Sequence, residues 1–113
     1  MTKTESRRFD MSVDMVYGYC RYALTTLGYR IERADSVFNT LTGVKYGLLS
    51  LGDSTGRMDV KVDPSGPGKC VVEAKAYNKN GFGVPDVLYF GGQGDIDKFW
   101  RQLAAILNRE RSK

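Results

Sequence analysis

Residues 57–77 read RMDVKVDPSGPGKCVVEAKAY and carry the pattern that decides the fold. Up to Asp63, apolar and charged side chains alternate strictly, and from Lys69 onward Cys70, Val72, Ala74 and Ala76 share one face. A period of two residues is typical of a strand with one buried face and one solvated face. The prolines and glycines over 64–68 place a turn between the two strands. This stretch therefore predicts an antiparallel hairpin with one face covered.

Towards the N-terminus, the sequence predicts two more strands and a helix. Residues 29–35 alternate, and residues 37 to about 51 are rich in Thr, Val, Leu and aromatic side chains, with a turn predicted over 53–56. Ser12 is a favourable N-cap and Gly28 a favourable residue just beyond a helix end. Apolar residues at three- and four-residue spacing predict a helix over 12–27, whose buried face carries Val13, Val16, Tyr17, Cys20, Leu24 and Leu27.

Towards the C-terminus, the glycine-rich residues 78–94 interrupt the strand pattern, and Asp95 is predicted to cap a last helix. The apolar stripe of this helix comprises Ile96, Phe99, Trp100, Leu103, Ile106 and Leu107. The predicted fold is α+β: an N-terminal helix, an antiparallel sheet of about four strands and a C-terminal helix, with both helices packed on one sheet face.

The run from Val13 to Tyr17, the Leu27-Gly28-Tyr29 step and the following Ile31 to Asp35 resemble the opening of several bacterial families of small uncharacterised domains. Those families continue through three or more antiparallel strands and end in a short helix after a Gly- and Asp-containing connection, as residues 91–103 do here. The resemblance implies a fold and no catalytic residue. Some members are lipoproteins, whereas this sequence has no lipobox.

Length and charge together favour one domain with two basic ends. The 113 residues contain no repeat or linker, which predicts a single domain over 11–108 between a disordered basic arm, 1–10, and a basic tail, 109–113. The formal charge of +4 comes entirely from the two ends, so residues 9–108 are neutral. Phosphate binding requires clustered cations, and nucleic acid is therefore an unexpected partner.

Several kinds of chemistry are excluded or disfavoured. The chain has no His and two Cys, so we predict no metal site, no cofactor and no catalytic residue. Cys20 and Cys70 are predicted to be buried, reduced thiols; a bridge between them or a reactive thiol are the alternatives. Gly66 to Lys69 lacks the spacing of a phosphate-binding loop. Without a long apolar run or a visible signal segment, a cytoplasmic protein with no membrane association is expected.

The predicted first helix has a second apolar side. Met15, Tyr19 and Tyr22 fall opposite its buried face, at a spacing that forms one ridge. Either residues 78–94 fold over this ridge, or it binds a protein partner or a second copy of the chain as a homodimer. We take partner binding by a non-enzymatic domain as the leading hypothesis.

The alternative hypothesis is a pocket for a small apolar or aromatic molecule between sheet and helix. Aromatic residues in the predicted strands and loops are the candidate lining of such a pocket. They are Tyr29, Phe38, Tyr46, Phe82, Tyr89 and Phe90. A nucleic-acid-binding module that stacks bases on these rings is a third, weaker hypothesis.

Overall fold

The computed structural model describes residues 2–46, 54–78 and 91–111. Two helices and five strands lie in these ranges. In chain order they are β1 (Thr2–Phe9), α1 (Val13–Thr26), β2 (Arg30–Asp35), β3 (Thr40–Tyr46), β4 (Ser54–Gly66), β5 (Lys69–Asn78) and α2 (Gly91–Arg111). Neither of these helices is long and apolar enough to cross a bilayer.

The strands form one antiparallel sheet in the order β1-β5-β4-β3-β2. The predicted hairpin of residues 57–77 is its centre, with Val62 opposite Val72 and Met58 opposite Ala76. The α+β class and the helix–sheet–helix arrangement are confirmed, but the sheet has five strands where about four were predicted.

The additional strand is β1, which lies in the segment predicted to be a disordered arm. That prediction is wrong because the pairing is made by the backbone: Thr2 lies opposite Tyr77 and Phe9 opposite Cys70. The sequence TKTESRRF has no apolar alternation to reveal such a strand. Its cations are part of the folded surface, since the Arg7 guanidinium lies 4.8 Å from the centroid of the Trp100 ring.

Helix α1 begins and ends as its sequence predicts. The Ser12 side chain accepts a hydrogen bond from the Met15 N–H at 3.4 Å, which satisfies one of the free donors of the first turn. At the other end Gly28 adopts φ +94°, and the Tyr29 N–H reaches back to the Leu24 carbonyl at 3.0 Å. The tight end directs Tyr29 straight into the core.

Other boundaries differ from the prediction. The predicted turn over 53–56 is wrong from Ser54 onward, because β4 already begins there, and β4 continues to Gly66 so that only residues 67 and 68 form the turn. In the predicted strand 37–51, β3 occupies Thr40–Tyr46, and 47–51 lie outside the described residues. Helix α2 begins at Gly91, so Asp95 is not its cap, and it includes Arg109 to Arg111 of the predicted tail.

The core lies between one face of the sheet and the two helices. The alternate residues of β4 from Gly56 to Val62 and of β5 from Cys70 to Ala76 are buried there, as are all six residues of the predicted apolar stripe of α2. Cys20 and Cys70 are both buried, as predicted, and neither takes part in a disulfide in this structure.

The outer face of the sheet is polar. The Asp59 carboxylate accepts hydrogen bonds from the Arg57 guanidinium at 3.0 and 3.1 Å and from the Thr42 hydroxyl at 2.9 Å. This pairing raises the pKa of Arg57. The register also sets Lys61 opposite Glu73 and Asp59 opposite Lys75. This face therefore meets solvent, as the alternation predicts.

Candidate functional sites

Along the inner face of the sheet, the side chains become smaller from one end to the other. At the large-residue end, defined by Leu41, Val62 and Val72, branched side chains are fully buried. At the small-residue end, defined by Gly43, Gly56 and Ala76, the same face presents two bare backbone positions and one methyl group, all buried, around the Met58 side chain. Apart from Met58, these strands carry less side-chain volume at the second end.

The small-residue end is also where the chain leaves and rejoins the sheet. Strand β3 ends there at Tyr46, β4 starts at Ser54 and β5 ends at Asn78. The first turns of α2 lie at this end as well. Asp95 in these turns is close enough to Lys45 on β3 for the lysine charge to oppose the rise that burial causes in the pKa of its carboxyl.

A group of polar side chains surrounds this end. The Lys45 ammonium lies 5.4 Å from the centroid of the Tyr29 ring. Burial raises the pKa of the Asp95 carboxyl, and the nearby cations Lys45 and Lys98 partly oppose that rise. Tyr29 itself is buried and packs over Gly43, where an added Cβ would come within 3.0 Å of the Tyr29 Cβ. A cation, a half-buried carboxyl and an aromatic ring therefore adjoin a floor of small residues.

The structure describes the side chains of only two of the six residues predicted to line the aromatic pocket. Tyr29 lies in the core at the start of β2, whereas Phe38 is 69% exposed in the turn at the opposite end of the β2–β3 hairpin. The Asp35 side chain holds that turn by accepting the N–H of Phe38 at 3.2 Å. Phe38 is therefore not brought together with Tyr29. The side chain of Tyr46, and residues Phe82, Tyr89 and Phe90, lie outside the described residues.

A second candidate site is a groove on the outside, between the two helices, which we call the α1–α2 groove. It has a volume of about 560 Å³ and is open to solvent. Its α1 wall comprises Asp14, Met15, Gly18, Tyr19 and Tyr22. Its α2 wall comprises Ile106, Arg109 and Glu110. The predicted ridge of Met15, Tyr19 and Tyr22 therefore forms one side of a concave surface.

The ridge residues differ in exposure. Met15 is 48% exposed and Tyr22 55%, whereas Tyr19 is half-buried and packs against the core. The α2 wall was missed in the sequence because Arg109 and Glu110 were assigned to a tail. The three- and four-residue spacing of Ile106, Arg109 and Glu110 was the available signal.

Gly18 lies at the floor of the α1–α2 groove and is unusual for its position. It sits in the middle of α1, where glycine destabilises a helix by about 1 kcal/mol relative to alanine. A Cβ added there would meet nothing within 4 Å, and its backbone is not among those with positive φ. The fold of the chain itself does not require a glycine here.

The thiols and acids offer little reactivity. Burial raises the pKa of the Cys20 thiol, and the neighbouring Cys70 raises it further; burial likewise raises the pKa of Cys70. Both raised pKa values lower the thiolate fraction at neutral pH and so disfavour nucleophilic attack by either sulfur. In the described part of the chain, no cluster of three or more Cys, Asp or Glu side chains is arranged to hold a metal ion.

No family model and no curated protein match the chain, so the resemblance to small bacterial domains stays a prediction. Solved structures do match. Norcoclaurine synthase from Thalictrum flavum, in complex with dopamine and hydroxybenzaldehyde, aligns with 100% of this chain and 90% of its own, at 14% identity and a TM-score of 0.55. Ara h 8.0201 aligns over 96% of this chain and 98% of its own, at 12% identity and TM-score 0.56. CalU16 from Micromonospora echinospora covers 96% and 79%, at 13% identity and TM-score 0.56. These likenesses show a shared fold.

Proposed function

We propose that this chain binds a small apolar or aromatic molecule between the sheet and the first turns of α2, at the small-residue end. The observation that carries the proposal is the decrease in side-chain size along the inner face of the sheet. The inner face presents Val62 and Val72 at one end and Gly43, Gly56 and Ala76 at the other, and we place the guest over the second end, where the side chains are smaller.

The polar groups at this end favour a ligand with an aromatic body and one polar substituent. Apolar pockets typically take their orientation from a few polar side chains at the margin. Lys45 and the Asp95 carboxyl are of this kind, and Tyr29 supplies an aromatic surface next to them. A phenol or aryl aldehyde presents a ring to the apolar floor and an oxygen to Lys45.

The shared fold supports the same ligand class. The norcoclaurine synthase structure of this fold contains dopamine and hydroxybenzaldehyde, two small oxygenated aromatic molecules. We carry over from it only the class of molecule. The residues that would receive the ligand are those of this chain, and the proposal is binding without catalysis.

The test is a substitution that fills the proposed space. Ala76→Leu adds three carbons at the small-residue end, and Ala23→Leu adds the same three carbons at a buried position on α1. If a cavity lies beside Ala76, Ala76→Leu keeps the free energy of unfolding within about 1 kcal/mol of the parent, while Ala23→Leu loses about 1–3 kcal/mol through overpacking.

Binding is measured with two probes on all three proteins: the fluorescence of anilinonaphthalene sulfonate and the titration of hydroxybenzaldehyde. We expect binding by the parent and by Ala23→Leu below its unfolding temperature, and a large loss in Ala76→Leu. Equal destabilisation by both substitutions, together with no binding by the parent, would show that the interior is filled.

A further inference from the structure

The α1–α2 groove lies outside the proposed ligand site and calls for a different occupant. We propose that it is the contact surface of a homodimer, in which α1 of one copy crosses α1 of another antiparallel, with Gly18 at the crossing point. Three features support this dimer: a glycine that the fold does not require, an apolar contact that repeats under a two-fold axis, and a charge pair that repeats under the same axis.

Gly18 allows a second helix to approach the backbone of α1 closely. The space around Gly18 is open, and the residue is exposed on the side of α1 turned away from the core. A side chain at this position would hold a second helix away from the backbone of α1 and from Tyr19 behind it. Without an occupant the glycine only weakens the helix; with one, it permits contact at the bottom of the groove.

The apolar contact is self-complementary. Met15 lies three residues before Gly18 and Tyr22 four residues after it, both on the α2 side of the exposed face. A two-fold axis that lies between the two helices at the level of Gly18, perpendicular to α1, keeps this side in place and reverses the helix direction. It therefore sets Met15 of each copy against Tyr22 of the other, so both half-exposed side chains are covered twice.

The charges match under the same operation. Asp14 lies four residues before Gly18 and Arg21 three residues after it, and both are exposed. At about 100° per residue, both fall on the other side of Gly18 from Met15 and Tyr22, although Asp14 still borders the groove. At about 1.5 Å of rise per residue, the axis places the Asp14 carboxylate of each copy beside the Arg21 guanidinium of the other. A small molecule in the groove would not make these symmetric contacts, and we therefore assign the groove to a second copy of the chain.

The experiment reverses one charge at a time in the full chain and then mixes the two variants. Sedimentation equilibrium measures association of the parent, of Asp14→Arg, of Arg21→Asp and of an equimolar mixture of both variants. In each single variant two like-charged contacts replace two ion pairs, and we expect dimerisation about tenfold weaker or more. In the mixture every Arg again faces an Asp, so heterodimers form with parental affinity.

A third variant tests the role of Gly18 without changing charge. Gly18→Gln fills the groove floor with a residue that favours helix, so we expect a higher melting temperature together with loss of the dimer. Ala104→Gln, at an exposed position of α2 away from the groove lining, is the matched control and keeps the dimer. A parent that stays monomeric at high concentration, or a mixture that associates no better than its components, overturns the proposal.

Discussion

The two ends of the inner sheet face are built from the same strands but differ in the size of the side chains they carry. At the large-residue end, Leu41, Val62 and Val72 supply branched side chains that close-pack beneath the helices. At the small-residue end, Gly43, Gly56 and Ala76 supply at most a methyl group each around the Met58 side chain. One sheet thus supports the helices with branched side chains over part of its length and presents small residues over the rest, where we propose that a ligand binds.

The largest effect is expected from a substitution that removes side-chain volume at the large-residue end. Leu41→Ala removes a side chain that is 1% exposed, and close packing around it prevents collapse into the vacated space. We expect a loss of about 2–5 kcal/mol in the free energy of unfolding, measured by urea denaturation. A loss below about 1 kcal/mol would mean that this end is packed no more tightly than the other.

Ligand binding tests the small-residue end. A ligand at one hundred times its dissociation constant stabilises the native state by about 2.7 kcal/mol. With hydroxybenzaldehyde as the probe, hydrogen exchange should slow at the amides near Lys45 and Tyr77 more than at those near Leu41 and Val62. Uniform slowing, or slowing confined to α1, would place the probe elsewhere.

The thiols test whether the well-packed region excludes solvent. Cys20 and Cys70 are buried and their pKa values are raised by burial, so both thiols should resist iodoacetamide at neutral pH until the protein unfolds. Replacing either residue by alanine should cost about 1 kcal/mol through lost packing. Fast labelling of the native protein at either thiol would contradict this account of the core.

The smallest effect is expected at the margin of the small-residue end. Burial raises the pKa of Asp95 in the folded protein above its usual value of 3.8. Over the pH interval between 3.8 and the raised pKa, the folded state holds a proton that the unfolded state has lost. The free energy of unfolding therefore falls as pH rises through that interval. Asp95→Asn removes this dependence, so the variant should gain stability relative to the parent at neutral pH and show no gain at pH values below the interval.

Chemical denaturation at a series of pH values measures this difference. An Asp95→Asn difference that stays constant across the series would show that the carboxyl is as well hydrated in the folded protein as in the unfolded chain.

Much of the fold could be predicted from the sequence where local pattern and tertiary structure agree. The hairpin of β4 and β5 alternates because one face is buried, and α1 carries both of its end signals in Ser12 and Gly28. Strand β1 could not be found this way, since its pairing with β5 is made by the backbone and its side chains lack an apolar row. Asp95 looked like a cap because a helix starting in Gly91 and Gly92 runs against local preference.

The candidate sites were less accessible to sequence reasoning. Met15, Tyr19 and Tyr22 could be placed on one ridge by spacing alone, but the facing wall of Ile106 and Arg109 depends on how two distant helices pack. The small-residue end likewise depends on register, which sets Gly43 opposite Met58 and Met58 opposite Ala76. The aromatic list grouped Phe38 with Tyr29 because composition carries no information about which end of a hairpin a residue occupies.

The position of β1 has a consequence for how the protein acquires its structure during synthesis. Among the described strands, β1 pairs only with β5, the last of them along the chain, so Thr2 has no partner until Tyr77 has left the ribosome. Contacts that join such distant parts of a chain form slowly, because the intervening loop must close first. We therefore expect β2 to β5 to assemble as a meander of neighbouring hairpins, with β1 added last. Its charged, apolar-poor sequence suits this role, since an unpaired strand of this composition is a poor template for aggregation while it waits.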